Sequence, residues 1–185
     1  MNWLEKYNCQ SPDKKFINDL TFEEVYGRVT KLAQKLSSYV KNEKRVAIYS
    51  NNSVEMALFF LALQFLGKEV LMLNTHLTNE EIKEQSELLK IKVIFSQDNK
   101  FISFNEVKEN EKEAVKLVKE FDEESIAVIM NTSATAGKFK SVPIRWKQFY
   151  NHVKASQKSL GRTDEDNWLL ILPMYHISGL SILMR

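Results

Sequence analysis

The sequence predicts an α/β fold: a mostly parallel sheet flanked by helices. Two observations carry this expectation. Segments with apolar residues at helical spacing alternate with short apolar runs along nearly all of the 185-residue chain, as they do when strand–helix units build a sheet covered on both faces. Two of the helical segments also open on capping boxes, Thr21 with Glu24 and Thr78 with Glu81. In that pattern each side chain takes up a backbone N–H left free at a helix start.

The elements follow in order. Behind Thr21, residues Phe22, Val25, Val29, Leu32, Leu36 and Val40 recur at helical spacing, which predicts an amphipathic helix. Arg45–Tyr49 reads as a strand. Asn52 with Glu55 is the expected cap of the next helix. Its run Met56–Leu66 is apolar nearly all round, so the helix should be buried, and it stops at Gly67. Val70–Leu73 reads as a strand, Thr78 opens a helix running to Leu89, and Val93–Ser96 and Phe101–Phe104 read as two further strands. Lys108–Glu124 is rich in Lys and Glu with partial periodicity, the mark of a solvated helix or an ordered linker. Ile126–Met130 is an apolar strand. Trp146–Leu160 is helical, with Trp146, Phe149 and Tyr150 on its core face, and it ends near Gly161. Trp168–Leu172 reads as a strand with Trp168 in the core, stopped by Pro173.

Composition narrows the class. Hydrophobic residues make up 44% and charged residues 27%, the balance of a globular domain. A net charge of +2 is too small to argue for a nucleic-acid partner. The longest apolar run, Met56–Leu66, is too short to span a bilayer and is interrupted by Gln64. The N-terminus lacks the basic-then-apolar order of a signal peptide. Together with a single cysteine, Cys9, which excludes an internal disulfide, these features predict a cytoplasmic protein with no membrane partner. Cys9 reads as a buried or inert thiol. His76 and His152 read as surface or packing residues and form no metal-ligand spacing with it. The oligomeric state stays open. The chain stops inside the apolar run Ser181–Arg185, which suggests a truncated product or an incomplete sequence.

The candidate chemistry begins at Val128–Pro143, VIMNTSATAGKFKSVP. A buried strand runs into a loop with the hydroxyls of Thr132, Ser133 and Thr135, the permissive backbone of Gly137, and the charges of Lys138 and Lys140. Free backbone N–H groups, hydroxyls and lysines leaving a sheet suit an oligophosphate; a solvated turn is the plainer alternative. The Walker A pattern fails at two positions. Phe139 stands where Ser or Thr should follow the lysine, and Thr132 replaces the first glycine.

This loop resembles the phosphate-binding signature of the adenylate-forming superfamily, Thr-Ser-Gly-Thr-Thr-Gly-x-Pro-Lys-Gly-Val. Thr132, Ser133, Thr135, Gly137, Lys140 and Val142 match it; Ala134, Ala136, Phe139 and Ser141 depart from it. Leu172–Gly179, LPMYHISG, resembles the superfamily's next motif, Leu-Pro-x-x-His-x-x-Gly. The longer stretch Asp166–Arg185 is similar to the 2-succinylbenzoate–CoA ligases of menaquinone synthesis, as are Trp3-Leu4, Ser11–Lys14, Thr21-Phe22 and Asn74-Thr75 in their order.

The resemblance implies an acid–CoA ligase using ATP, Mg2+ and coenzyme A on an aromatic dicarboxylate. It implies that residues 1–185 are the N-terminal part of the large domain, with the downstream half and the small C-terminal domain outside it. Phosphate binding would fall to residues 131–143: Thr132, Ser133, Ala134, Thr135, Ala136, Gly137, Lys138 and Lys140. The acyl-pocket motif would be residues 172–179. There His176 is the candidate catalytic residue, orienting the carboxylate or shaping the pocket, and His176, Ser178 and Gly179 are the candidate acid-binding set. Two other readings stay open: a ligase for a fatty or aryl acid, and a non-catalytic remnant with weak nucleotide binding or an interaction role.

Overall fold

The computed structural model describes residues 2–133, 139–161, 163 and 165–185. The chain opens with helix α1 (Trp3–Gln10), capped by the Asn2 side chain, and a small antiparallel hairpin of β1 (Lys15–Ile17) and β2 (Leu20–Thr21). Neither was legible in the sequence, because both are short and are held by tertiary contacts. Phe16 stacks on Phe22 at 4.7 Å, and Trp3 meets Phe16 edge-on at 5.7 Å.

The next elements follow the sequence closely. Helix α2 (Phe22–Val40) begins at the Thr21–Glu24 capping box and buries the expected stripe. It leads to β3 (Arg45–Tyr49), α3 (Val54–Phe65), β4 (Glu69–Leu73), α4 (Asn79–Leu88) and β5 (Ile94–Ser96). The Thr78–Glu81 box caps α4. The cap of α3 is Ser53 and not Asn52: the Met56 N–H donates to Ser53 Oγ at 3.0 Å. Serine one residue later has the shorter reach that this geometry needs, and Asn52 is used elsewhere. The expected strand Phe101–Phe104 is reduced to β6 (Ile102–Ser103), because the Ser103 hydroxyl caps a short helix, α5 (Phe104–Glu109).

Residues 110–125 form the ordered linker and no helix. The Val118 N–H donates to Phe65 C=O at 2.8 Å, and Phe121 stacks on Trp146 at 4.3 Å. Then come β7 (Ile126–Ser133), β8 (Phe139–Arg145), α6 (Trp146–Leu160) and α7 (Ile177–Leu183). Trp146 and Phe149 are buried in the core, as expected. Trp168–Leu172 forms no strand, and Trp168, Leu169, Ile171 and Leu172 are exposed. An apolar run becomes a strand only when a ladder partner takes its N–H and C=O groups, and none of the described strands pairs with it. Trp168 instead lies under the Arg185 guanidinium, 4.6 Å from its ring centre. Cys9 is exposed, so burial does not account for it.

The main sheet of the described residues has the order β6-β5-β3-β4-β7-β8. All its pairs are parallel except β7–β8. Alternation along the strands feeds two cores. Val46, Ile48, Val70, Met72, Val128 and Met130 face the larger one with α2 and α3; Ala47, Leu71, Leu73 and Ile129 face a smaller one with Ile82 of α4 and Ile91. Pro143 is tolerated because β8 is an edge strand, where a missing N–H costs no ladder bond.

Polar contacts tie α3 to β7 and β3 to β4. Gln64, 3% exposed within the apolar run of α3, donates to the Ala127 carbonyl at 2.8 Å. The β7–β8 register shifts between Ile126 and Val128, on either side of that carbonyl. At the amino end of β4, Glu69 accepts from Lys44 and Arg45, each at 2.8 Å. Burial opposes its ionisation, but the hydrogen bonds and charges of these two partners outweigh it and hold the carboxyl below the usual glutamate range.

Candidate active site

Because β3, β4 and β7 run parallel, their carboxyl ends share one edge of the sheet. The segments leaving that edge carry the candidate chemistry. The β7–β8 hairpin is the structural form of the loop read from the sequence, and its strands reach further than expected. Residues 131–133 and 139–143 are strand, paired Asn131 with Ser141, Thr132 with Lys140 and Ser133 with Phe139. Phe139, Val142 and Ile144 favour extended backbone, so the loop expected over 131–143 is strand at both of its described ends. Ala134, Thr135, Ala136, Gly137 and Lys138 lie outside the described residues. Thr132 and Lys140 are exposed cross-strand partners near the described ends of the hairpin.

One pair back from Thr132 and Lys140 on the hairpin is a polar relay that sequence reasoning missed. Ser141 Oγ donates to Asn131 Oδ1 at 2.7 Å, and Asn131 Nδ2 donates to Gln85 Oε1 on α4. Gln85 is buried. Its signal in the sequence was a glutamine on the apolar stripe of α4, three residues after Ile82. Ser141, a departure from the superfamily pattern, makes a cross-strand bond that glycine could not make.

The second motif reaches the same edge through Asn52, three residues beyond the end of β3. Asn52 Nδ2 donates to Leu172 C=O at 2.8 Å, and the Met174 N–H donates to Asn52 Oδ1 at 2.8 Å. The His176 N–H donates to Pro173 C=O at 3.0 Å, turning the chain into α7. Met174 and Tyr175 are buried; His176 and Ser178 are exposed. The His176 ring lies 4.9 Å from the Tyr175 ring, at the helix start, and makes no side-chain cap bond. Gly179 is buried for a steric reason. A Cβ there would sit 2.3 Å from the Pro173 carbonyl oxygen and 2.5 Å from that of Leu172. β3 and β7 flank β4, so their ends are roughly 10 Å apart at ordinary strand spacing. The fold thus brings the hairpin and the 172–176 segment to one edge.

His76 and His152 are exposed. Among the described residues, no three His, Cys, Asp or Glu side chains gather as a metal site, and no helix is long and apolar enough to cross a membrane.

Comparison with known proteins gives this arrangement relatives. The chain is 51% identical over its whole length to a 2-succinylbenzoate–CoA ligase of Lactococcus lactis subsp. lactis (strain IL1403), and 39% identical to one of Enterococcus faecalis (strain ATCC 700802 / V583). It spans 42% and 41% of those two proteins, less than half of each. Among solved structures, o-succinylbenzoate CoA synthetase of Bacillus subtilis in complex with the acyl-adenylate intermediate OSB-AMP superposes with a TM-score of 0.90 and 27% identity. The match covers 98% of this chain and 52% of that one. The same synthetase in complex with ATP and magnesium ion gives 0.90 and 26%, covering 99% and 53%. A family model for AMP-binding enzymes matches residues 4–184, and the chain belongs to that family.

Proposed function

We propose that the chain is the N-terminal part of an ATP-dependent acid–CoA ligase that activates 2-succinylbenzoate in menaquinone biosynthesis. The observation that supports this most is the convergence of the β7–β8 hairpin and the 172–176 segment on one sheet edge, in a chain half identical to the lactococcal ligase. In the first step, a carboxylate oxygen of the acid bonds to the α-phosphorus of ATP as the bond to pyrophosphate breaks. In the second, the coenzyme A thiolate bonds to the acyl carbon as AMP leaves.

Charge grows on the departing phosphates during the first step, and fixed donors there lower the barrier. Thr132 and Lys140 are the described candidates for these donors. Magnesium, when bound, would offset phosphate charge. The Thr132 hydroxyl is the described loop group that would face such an ion, directly or through its hydration shell. On the acid side, His176 orients the carboxylate and shapes the pocket. General-base work is unnecessary, because the acid is already ionised.

The test uses the protein comprising this chain and the downstream region that its relatives possess. Incubation with ATP, magnesium, coenzyme A and 2-succinylbenzoate should release pyrophosphate and form a thioester. Benzoate and a medium-chain fatty acid should be poor substrates, since a site built for two carboxylates leaves polar groups unpaired when one is missing. Equal use of the fatty acid would reassign the substrate. Pyrophosphate release with none of these acids would refute the ligase reading. The 185-residue chain by itself should yield no thioester.

A further inference from the structure

Relieved of capping by Ser53, the Asn52 carboxamide bonds to residues 120 and 122 positions further along the chain. Its donor meets the Leu172 carbonyl and its acceptor meets the Met174 N–H. These two groups straddle Pro173, which has no N–H of its own. The side chain therefore pairs with the segment as a neighbouring strand would, and none of the described strands pairs with that segment. Its base is rigid: Asn52 sits between β3 and the capped start of α3, whose residues Met56–Phe65 are buried. Beyond the clamp, Met174 is 1% exposed and Tyr175 is 7% exposed, and the Pro173–His176 turn follows at once. His176 is left exposed on a segment held from both sides, by Asn52 at one and by the close approach of Gly179 at the other.

We propose that Asn52 is a positioning residue for the acid: its carboxamide fixes the 172–174 backbone and thereby sets where the His176 imidazole stands on the sheet edge. The acid-binding half of this inference rests on the functional reading above; the clamp itself does not. Positioning of this kind acts through the substrate it orients, because small displacements of a binding group are expensive.

The experiment separates the two halves. Asn52→Ala and Asn52→Asp are made in the 185-residue chain and in the full protein. In the chain, amide hydrogen exchange at Met174 is followed by NMR. Asn52→Ala removes both bonds and should speed that exchange by about tenfold. Asn52→Asp keeps the acceptor for the Met174 N–H and should retain most of the protection. In the full protein, Asn52→Ala should raise the KM for 2-succinylbenzoate roughly three- to tenfold and leave the KM for ATP unchanged, with Asn52→Asp intermediate. Unchanged exchange at Met174 in Asn52→Ala overturns the clamp. Faster exchange with an unchanged acid KM overturns the positioning role and leaves a fold brace. An equal rise in both KM values also overturns it, since a general loss of structure would do that.

Discussion

Glycine-to-alanine substitution should have opposite signs at Gly27 and Gly179, although both lie within helices. In a helix interior, alanine is favoured over glycine by about 1 kcal/mol. At Gly27, in α2, an added Cβ meets nothing within 4 Å, so the full gain should appear. At Gly179, in α7, the Cβ would meet three backbone atoms at 2.3, 2.5 and 2.6 Å. Backbone cannot swing aside as a side chain can. The helix or the 172–173 segment must move by roughly 1 Å to reach ordinary contact. Overpacking of this kind costs about 1–3 kcal/mol, and losing the His176-to-Pro173 bond adds about 1 kcal/mol. The clash therefore outweighs the propensity gain. Undocking α7 sets the ceiling, because it exposes Leu180 and Leu183, both buried, at about 1.5–3 kcal/mol each. Urea unfolding of each variant of the 185-residue chain, with hydrogen exchange over residues 172–185, measures both effects. Gly27→Ala should raise the midpoint. Gly179→Ala should lower it or strip protection from residues 172–185. If Gly179→Ala is as protected as the parent and more stable, the close approach of α7 to Pro173 is wrong.

Further outcomes follow from the polar contacts. Ser141→Gly should cost about 1–2 kcal/mol, from one hydrogen bond to Asn131 and the added freedom of glycine in a strand. Ser141→Thr should be nearly neutral, and equal urea midpoints for Gly and Thr would contradict the relay. Gln64→Leu should destabilise by about 1–3 kcal/mol, because the Ala127 carbonyl is left unpaired in the core; a gain in stability would show that the carbonyl finds another partner. For Glu69 the sign is fixed by its lowered folded value: the stabilisation is present above the unfolded value, about 4.3, and is lost as pH falls through the lower folded value. Glu69→Gln should therefore be less stable than the parent at pH 7, with the deficit shrinking below pH ~4. A deficit constant from pH 7 to pH 2 would refute the linkage.

The sequence by itself determined the elements whose signals are local. Helix α2 was legible because its stripe and capping box lie within one 20-residue window, and strand β3 because five apolar-rich residues are bounded by polar ones. The superfamily resemblance was legible because its two motifs are contiguous. What tertiary structure decided is what depends on partners far along the chain. From the sequence Asn52 reads as a helix cap, the nearest use for it, whereas its bonds go to residues 172 and 174. Trp168–Leu172 has the composition of a strand but no ladder partner among the described strands, so it is exposed. The β8 strand was hidden behind Pro143 and the polar residues around it, and it exists because β7 offers an edge. Gly179 looked like a motif residue for the acid; only the approach of two backbone carbonyls showed why no side chain fits there. Local signals fix local conformation, while pairing, clamping and steric exclusion are properties of distances that the linear chain does not contain.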